Sequence, residues 1–246
     1  MKRKSDSAIA DETLVAKKAS VVIPNFISVD DALNFLYGVF PSLAFKPAIR
    51  PTLVRSQIYT LVNNRTLVDA HLNKLQNTGK IRLLKLEDET DDSLGIMLSE
   101  DYTASFNDIG ASEEDCKLFE KFISVVLTEQ RALCVNKSTL LKTFSDAQIT
   151  TLVQSGALTT RTSGLWWISS PCLGRFLKAY RTGQRALLAM LRRQRFKELL
   201  LSDIAKRELG KGAILGYMYH VLAHLGSGTL VSVPTASGPL IRLRMG

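Results

Sequence analysis

Apolar residues recur at helical spacing in four segments, each opened by a hydroxyl three residues before an acid or an amide. The openings are Ser28-x-x-Asp31, Thr66-x-x-Asp69, Ser112-x-x-Asp115 and Ser145-x-x-Gln148. In each the hydroxyl can accept from the backbone amide three residues on; the last is a strict capping box and the others are weaker variants. Behind them come Leu33, Leu36, Val39 and Phe40; Val68, Leu72 and Leu75; Leu118, Phe122, Ile123 and Val126; and Ile149, Leu152 and Val153. That spacing predicts helices with one buried face. Three helices are predicted to end at Gly79, Gly156 and Gly228, because each glycine precedes a strand-like run: Ile81 to Leu86, Leu158 to Arg161 and Leu230 to Val233. The glycines recur at spacings of 77 and 72 residues.

A second strand candidate follows each of these after a turn-rich gap: Leu94 to Leu98, Leu165 to Ile168 and Leu240 to Leu243. Helices followed by a β-hairpin, in a unit of about 75 residues, match the winged-helix plan. The expectation is a mainly α fold with small β-hairpins, built as three tandem winged-helix units packed together. The boundaries are a flexible basic tail over 1–25 and units over 26–106, 107–172 and 173–246.

Composition narrows the class. The 246 residues are 46% hydrophobic and 22% charged, with a formal net charge of +9, which supports a sizeable core and excludes general disorder. No apolar run is long enough for a transmembrane span, and the N-terminus lacks the apolar core of a secretory signal. Its clusters Lys2, Arg3, Lys4 and Lys17, Lys18 resemble a bipartite nuclear import signal, so the expected location is the nucleus. Cys116, Cys134 and Cys172 are odd in number and form no CxxC pair, which argues against a disulfide scaffold. His220 and His224 share a helix face, but position 221 is Val where a zinc protease needs its general-base Glu. No metal or cofactor is expected.

The charge is polarised. From Arg175 to Lys211 eleven cations face three acids, a net +8, whereas from Glu87 to Glu120 twelve acids face Lys117 alone, a net −11. Treated as one helix, residues 175–197 place Arg175, Lys178, Arg181, Arg185 and Arg192 in a sector of about 120°. Phe176, Tyr180, Leu187 and Leu191 fall on the opposing side, with Gly183 a candidate interruption. Arg193, Arg195, Lys197, Lys206 and Arg207 extend the positive stretch, and arginine suits bidentate phosphate contacts. Two assignments stay open: a nucleic-acid surface, or a solvated helix neutralised by the acidic segment. Elsewhere, Asn63, Asn64 and Arg65 open a helix that could meet DNA, with Arg65 the strongest candidate. The helix DAQITTLVQS has no cation and GAILGYMYHVLAHL is largely apolar, so phosphate-dominated contact is expected over sequence reading. Adjacent Trp166 and Trp167 should face opposite sides of a strand; core packing is the expected role, and the outward one could instead stack on a base or dock a partner.

Three stretches, LVRSQIYTLVNNRTLVDAHLNKLQNTGKIRLLKL, SGLWWISSPCLGRFLKAY and MLRRQRFKELLLSDI, resemble the serine/threonine-protein kinase 19 family over about residues 45–246. The resemblance implies a tandem winged-helix nuclear protein that binds double-stranded DNA, with RNA as a further ligand and a homodimer on nucleic acid as a further state. It also implies a role in transcription-coupled nucleotide excision repair, bridging the stalled RNA polymerase II repair complex and the general transcription factor carrying the repair helicases. The family's matching basic stretch is assigned to DNA binding, which the resemblance extends to Arg192, Arg193, Arg195 and Arg207. The residues themselves argue against a kinase. The pairs Gly210/Gly212 and Gly226/Gly228 lack a third glycine, no HRD occurs, and Asp108-Ile109-Gly110 precedes both pairs. No phosphate-binding GxxxxGK[ST] loop occurs either. The expectation is a non-enzyme; the alternative to DNA binding is a protein-interaction scaffold whose basic face binds acidic partners.

Overall fold

Each predicted hairpin forms, and each recruits a third, shorter strand that the hydrophobic pattern does not announce. In the computed structural model the described residues are 22–86, 94–109, 112–128, 132–207, 209–210 and 212–244. The two basic clusters of the tail, Lys2 to Lys4 and Lys17 with Lys18, lie outside them, as do residues 87–93 of the acidic segment.

The same order of elements occurs three times. The first run is α1 (Val29–Val39), β1 (Leu53–Val54), α2 (Arg55–Leu61), α3 (Arg65–Asn77), β2 (Ile81–Lys85) and β3 (Leu94–Leu98). A connecting helix, α4 (Ser99–Asn107), leads to α5 (Glu113–Thr128), β4 (Cys134–Asn136), α6 (Lys137–Leu140), α7 (Asp146–Gln154), β5 (Leu158–Thr162) and β6 (Leu165–Ile168). The third run is α8 (Leu173–Arg192), β7 (Glu198–Leu200), α9 (Leu201–Lys206), α10 (Gly216–Gly226), β8 (Leu230–Thr235) and β9 (Gly238–Leu243). All three sheets are antiparallel with the last hairpin strand in the middle: β1-β3-β2, β4-β6-β5 and β7-β9-β8. The architecture is mainly helical with small antiparallel sheets. Gly79, Gly156 and Gly228 all have positive φ, at 69°, 81° and 77°, so each helix end reverses through a conformation that costs glycine little.

Local corrections concern caps and ends. Ser145 and Gln148 form the reciprocal box, and Ser112 accepts from the Asp115 amide. Ser28, however, caps through the amide of Asp30, and Asn64, not Thr66, caps α3 by accepting from Leu67 at 3.0 Å. The cationic helix ends at Arg192 rather than at 197. Gly183 does not interrupt it; a Cβ there would lie 2.0 Å from His220 Nε2, so glycine lets α10 approach α8.

The three runs share one interior. A cluster containing Phe40, Phe45, Tyr102, Phe122, Phe176 and Tyr219 draws on all of them, with edge-to-face pairs such as Phe40–Tyr219 and Phe176–Tyr219. The first and third runs are also joined by hydrogen bonds. Gln57 Nε2 donates to the Tyr219 carbonyl (3.1 Å), Tyr219 Oη to the Thr52 carbonyl (2.7 Å) and Thr60 Oγ1 to the Leu222 carbonyl (2.6 Å). Arg82, fully buried, joins the first sheet to the second run by donating to the carbonyls of Val126 (3.0 Å) and Ala132 (2.6 Å).

Candidate nucleic-acid interface

Helix α8 is amphipathic in the strict sense: its buried stripe is Leu173, Phe176, Ala179, Tyr180, Gly183, Leu187 and Leu191. Burial of that stripe against the shared core fixes which way the helix faces. Arg175, Lys178, Arg181, Arg185 and Arg192 are consequently all exposed. Because the helix is unbroken, the row runs about 25 Å along its axis, about seven base-pair steps of duplex DNA. Arg175 is tied at one end, donating to the Pro47 carbonyl at 2.7 Å.

Past Arg192 the chain turns. Arg193 is the C-cap residue, and Arg195 and Lys197 sit exposed in the turn before β7. Lys206 and Arg207 lie exposed at the end of α9, with Lys206 3.5 Å from Asp203. Of the acids interspersed in this stretch, Glu198 pairs with Arg242 on β9 at 2.6 Å. Among the described residues no carboxylate lies within ion-pair distance of Lys178, Arg185, Arg192, Arg193, Arg195, Lys197 or Arg207. Three acids in the described part of the acidic segment are engaged elsewhere. Asp108 takes a two-pronged hydrogen bond from Arg50 (3.0 and 3.2 Å), Asp101 is 4.0 Å from the same guanidinium, and Glu113 pairs with Lys117.

The start of α3, with the candidate DNA contact Arg65, is exposed and also makes contacts within the fold. Asn64 is occupied as the cap, and Arg65 Nη2 donates to the Gly226 carbonyl at 2.7 Å, its guanidinium 4.9 Å from the Tyr59 ring centre. Arg65 therefore joins α3 to α10 while the residue stays exposed. Trp166 packs against the central core, while Trp167, on the other strand face, carries the Arg161 guanidinium at 4.3 Å. A cavity of about 220 Å³ beside it is lined by Lys85, Thr160, Trp167, Leu177 and Arg181. His220 and His224 are buried. Burial lowers both, His220 to about 3 with help from His224 and His224 to about 4, so both are neutral packing groups at neutral pH. Among the described residues no group of His, Cys, Asp and Glu could hold a metal ion, and no helix is long and apolar enough to cross a membrane.

Residues 40–243 match the family described as "Inactive serine-threonine protein kinase 19". The chain belongs to this family. It is 36% identical over 218 residues to a mouse (Mus musculus) protein called "Winged helix repair factor 1", covering 88% of this chain and 85% of that one. The human (Homo sapiens) protein of that name is 36% identical over 214 residues, 86% and 84% of the two chains. The Xenopus laevis one is 30% identical over 246 residues, 99% and 94% of the two. The family's description as an inactive kinase points to a non-enzyme. The aspartate that mimics a kinase metal ligand, Asp108, ends α4 and holds Arg50.

Proposed function

We propose that this chain is a nuclear DNA-binding factor of three tandem winged-helix units, which acts without catalysis in transcription-coupled nucleotide excision repair. The proposed role is to hold duplex DNA while other faces bridge the stalled RNA polymerase II repair complex and the helicase-bearing general transcription factor. One observation carries the DNA assignment: Lys178, Arg185 and Arg192 on a core-anchored helix, continued past its end by Arg193, Arg195 and Lys197, are exposed and have no carboxylate within ion-pair distance among the described residues. The name of the relatives supports a repair role, and the thrice-repeated order of helices and three-stranded sheets supports the winged-helix units.

The contact is dominated by phosphate, so RNA competes for the same face. Fluorescence anisotropy with labelled duplex over a salt series tests it. For about five phosphates, log K falls with log salt at a slope near −4.5. Charge reversal at Arg192 and Arg193 flattens the slope and weakens all sequences alike; unchanged binding in that double variant would sink the assignment. The titration end point also reports whether one chain or a homodimer occupies each site.

A further inference from the structure

The turn between α8 and β7 presents one large apolar side chain among cations. Phe196 is 65% exposed, the one aromatic among the strongly exposed large hydrophobic residues of the described chain. A single exposed apolar residue is ordinary on a protein surface. Phe196 differs in how the backbone of its turn is anchored and in the cations beside it in the chain.

The turn is anchored at both ends. The Arg193 amide donates to the Ala189 carbonyl at 3.2 Å, continuing the helix ladder into the turn. The Lys197 amide donates to the Gln194 carbonyl at 3.0 Å, which makes Arg195 and Phe196 the two corner residues of a β-turn. On the far side the Lys197 carbonyl accepts from the Leu243 amide at 3.0 Å, where β7 enters its sheet. Lys197 itself has φ 54°, the one positive φ outside glycine among the described residues. A side chain held in that region by its surroundings is a feature that recurs at functional sites. Beside Phe196 in the chain stand Arg193 and Arg195 before it and Lys197 after it, all exposed, and the Arg195 guanidinium lies 5.1 Å from the ring centre.

An exposed phenyl on an anchored turn, with cations on both sides of it in the chain, has the chemistry of a wedge for stacked bases, with the cations holding the flanking phosphates. Opening an intact stack costs free energy, and a step that is already unpaired lacks most of that cost. We infer that Phe196 stacks into a base step that the DNA already exposes, at a mismatch, a bubble or the edge of a fork, and so biases this surface toward distorted duplex. An acidic protein surface would engage the same cations but gives the ring no stack to enter. The inference rests on the proposed DNA binding by α8 and adds to it a preference that the cations alone do not supply.

The test uses the full chain and two labelled probes: a fully paired duplex, and the same duplex with a central unpaired bubble bearing 2-aminopurine beside the opened step. The wild-type chain should bind the bubble about tenfold tighter, the scale of one base–aromatic stack, and quench the 2-aminopurine. Phe196→Ala should bring the bubble affinity down to that of the paired duplex, leave the paired duplex and its salt slope unchanged, and abolish the quenching. Phe196→Trp should restore both. Equal wild-type affinity for the two probes, or a preference that survives in Phe196→Ala, overturns the wedge while leaving duplex binding intact. Failure of the wild-type chain to bind either probe overturns the DNA-binding proposal and the wedge with it.

Discussion

The α-carbon of Gly226 faces the main chain of Ser56 so closely that a Cβ on it would stand 1.7 Å from the Ser56 carbonyl oxygen. The neighbour is backbone, which cannot swing aside, and it belongs to α2, the helix against which α10 rests. Gly226→Ala must push the two helices apart and strain the hydrogen bonds between them. The expected cost is about 3 kcal/mol, at the upper end for an overpacked core. In a chain of this size that is a fall in Tm of roughly 10 °C. A calorimetric melt indistinguishable from wild type would contradict the close approach.

The buried histidines set a pH dependence. His220 and His224 titrate at about 3 and about 4 in the folded chain, against 6.5 for an unperturbed imidazole. Between those limits the unfolded chain binds more protons than the folded one. The stabilisation is therefore complete above pH ~6.5 and is lost as the pH falls toward 3 to 4. Each histidine adds a slope of up to about 1.4 kcal/mol per pH unit in that window. Urea denaturation of His224→Gln beside wild type, from pH 7.5 to 4.5, should show the shallower decline in the variant; parallel curves would contradict it.

Two exposed arginines should separate cleanly. Arg65→Ala strips a donor from the Gly226 carbonyl and should cost about 1–2 kcal/mol of stability while leaving the salt slope of DNA binding unchanged. Arg185→Glu should do the reverse, with a salt slope shallower by about 0.9 for the lost phosphate contact and little change in Tm. A slope that responds to Arg65 would move α3 back to the DNA surface.

Asp108 is expected to matter little. Its partner Arg50 and Asp108 itself are both well exposed, at 39% and 41%, so Asp108→Asn should lower stability by less than about 1 kcal/mol. DNA affinity should not move, since no contact of Asp108 involves α8. A large loss in either measurement would mark the Arg50 cluster as a second functional centre.

Much of this was legible in the residue pattern, and the remainder has identifiable causes. The hairpins are local: a glycine stop, two short apolar runs and a turn specify them. The partners Leu53–Val54, Cys134–Asn136 and Glu198–Leu200 are two or three residues long, too short to show a period. They become strands only because a hairpin edge is there to pair with. The α8 row was legible because arginine and leucine alternate at the helical period. The use of Arg65 was not, since its acceptor lies 161 residues away and no periodicity records a guanidinium's destination. Phe196 carried one sequence signal, an aromatic directly between Arg195 and Lys197. Its meaning depends on the turn that displays it.

Helix α8 turns Phe176 and Tyr180 into an aromatic cluster shared with Phe40 of the first run and Tyr219 of the last. The cationic row is thus the outer face of a wall whose inner face is the common interior. It has no existence as a detachable module: a fragment that kept residues 173–246 would lose the contacts from Phe40 and Thr52 that seat α8 and α10. By mass action, a polyanion that binds only the assembled face stabilises the whole chain by as much as its own affinity and concentration allow. Damage to the joint between α2 and α10 would then weaken nucleic-acid binding without altering a single cation.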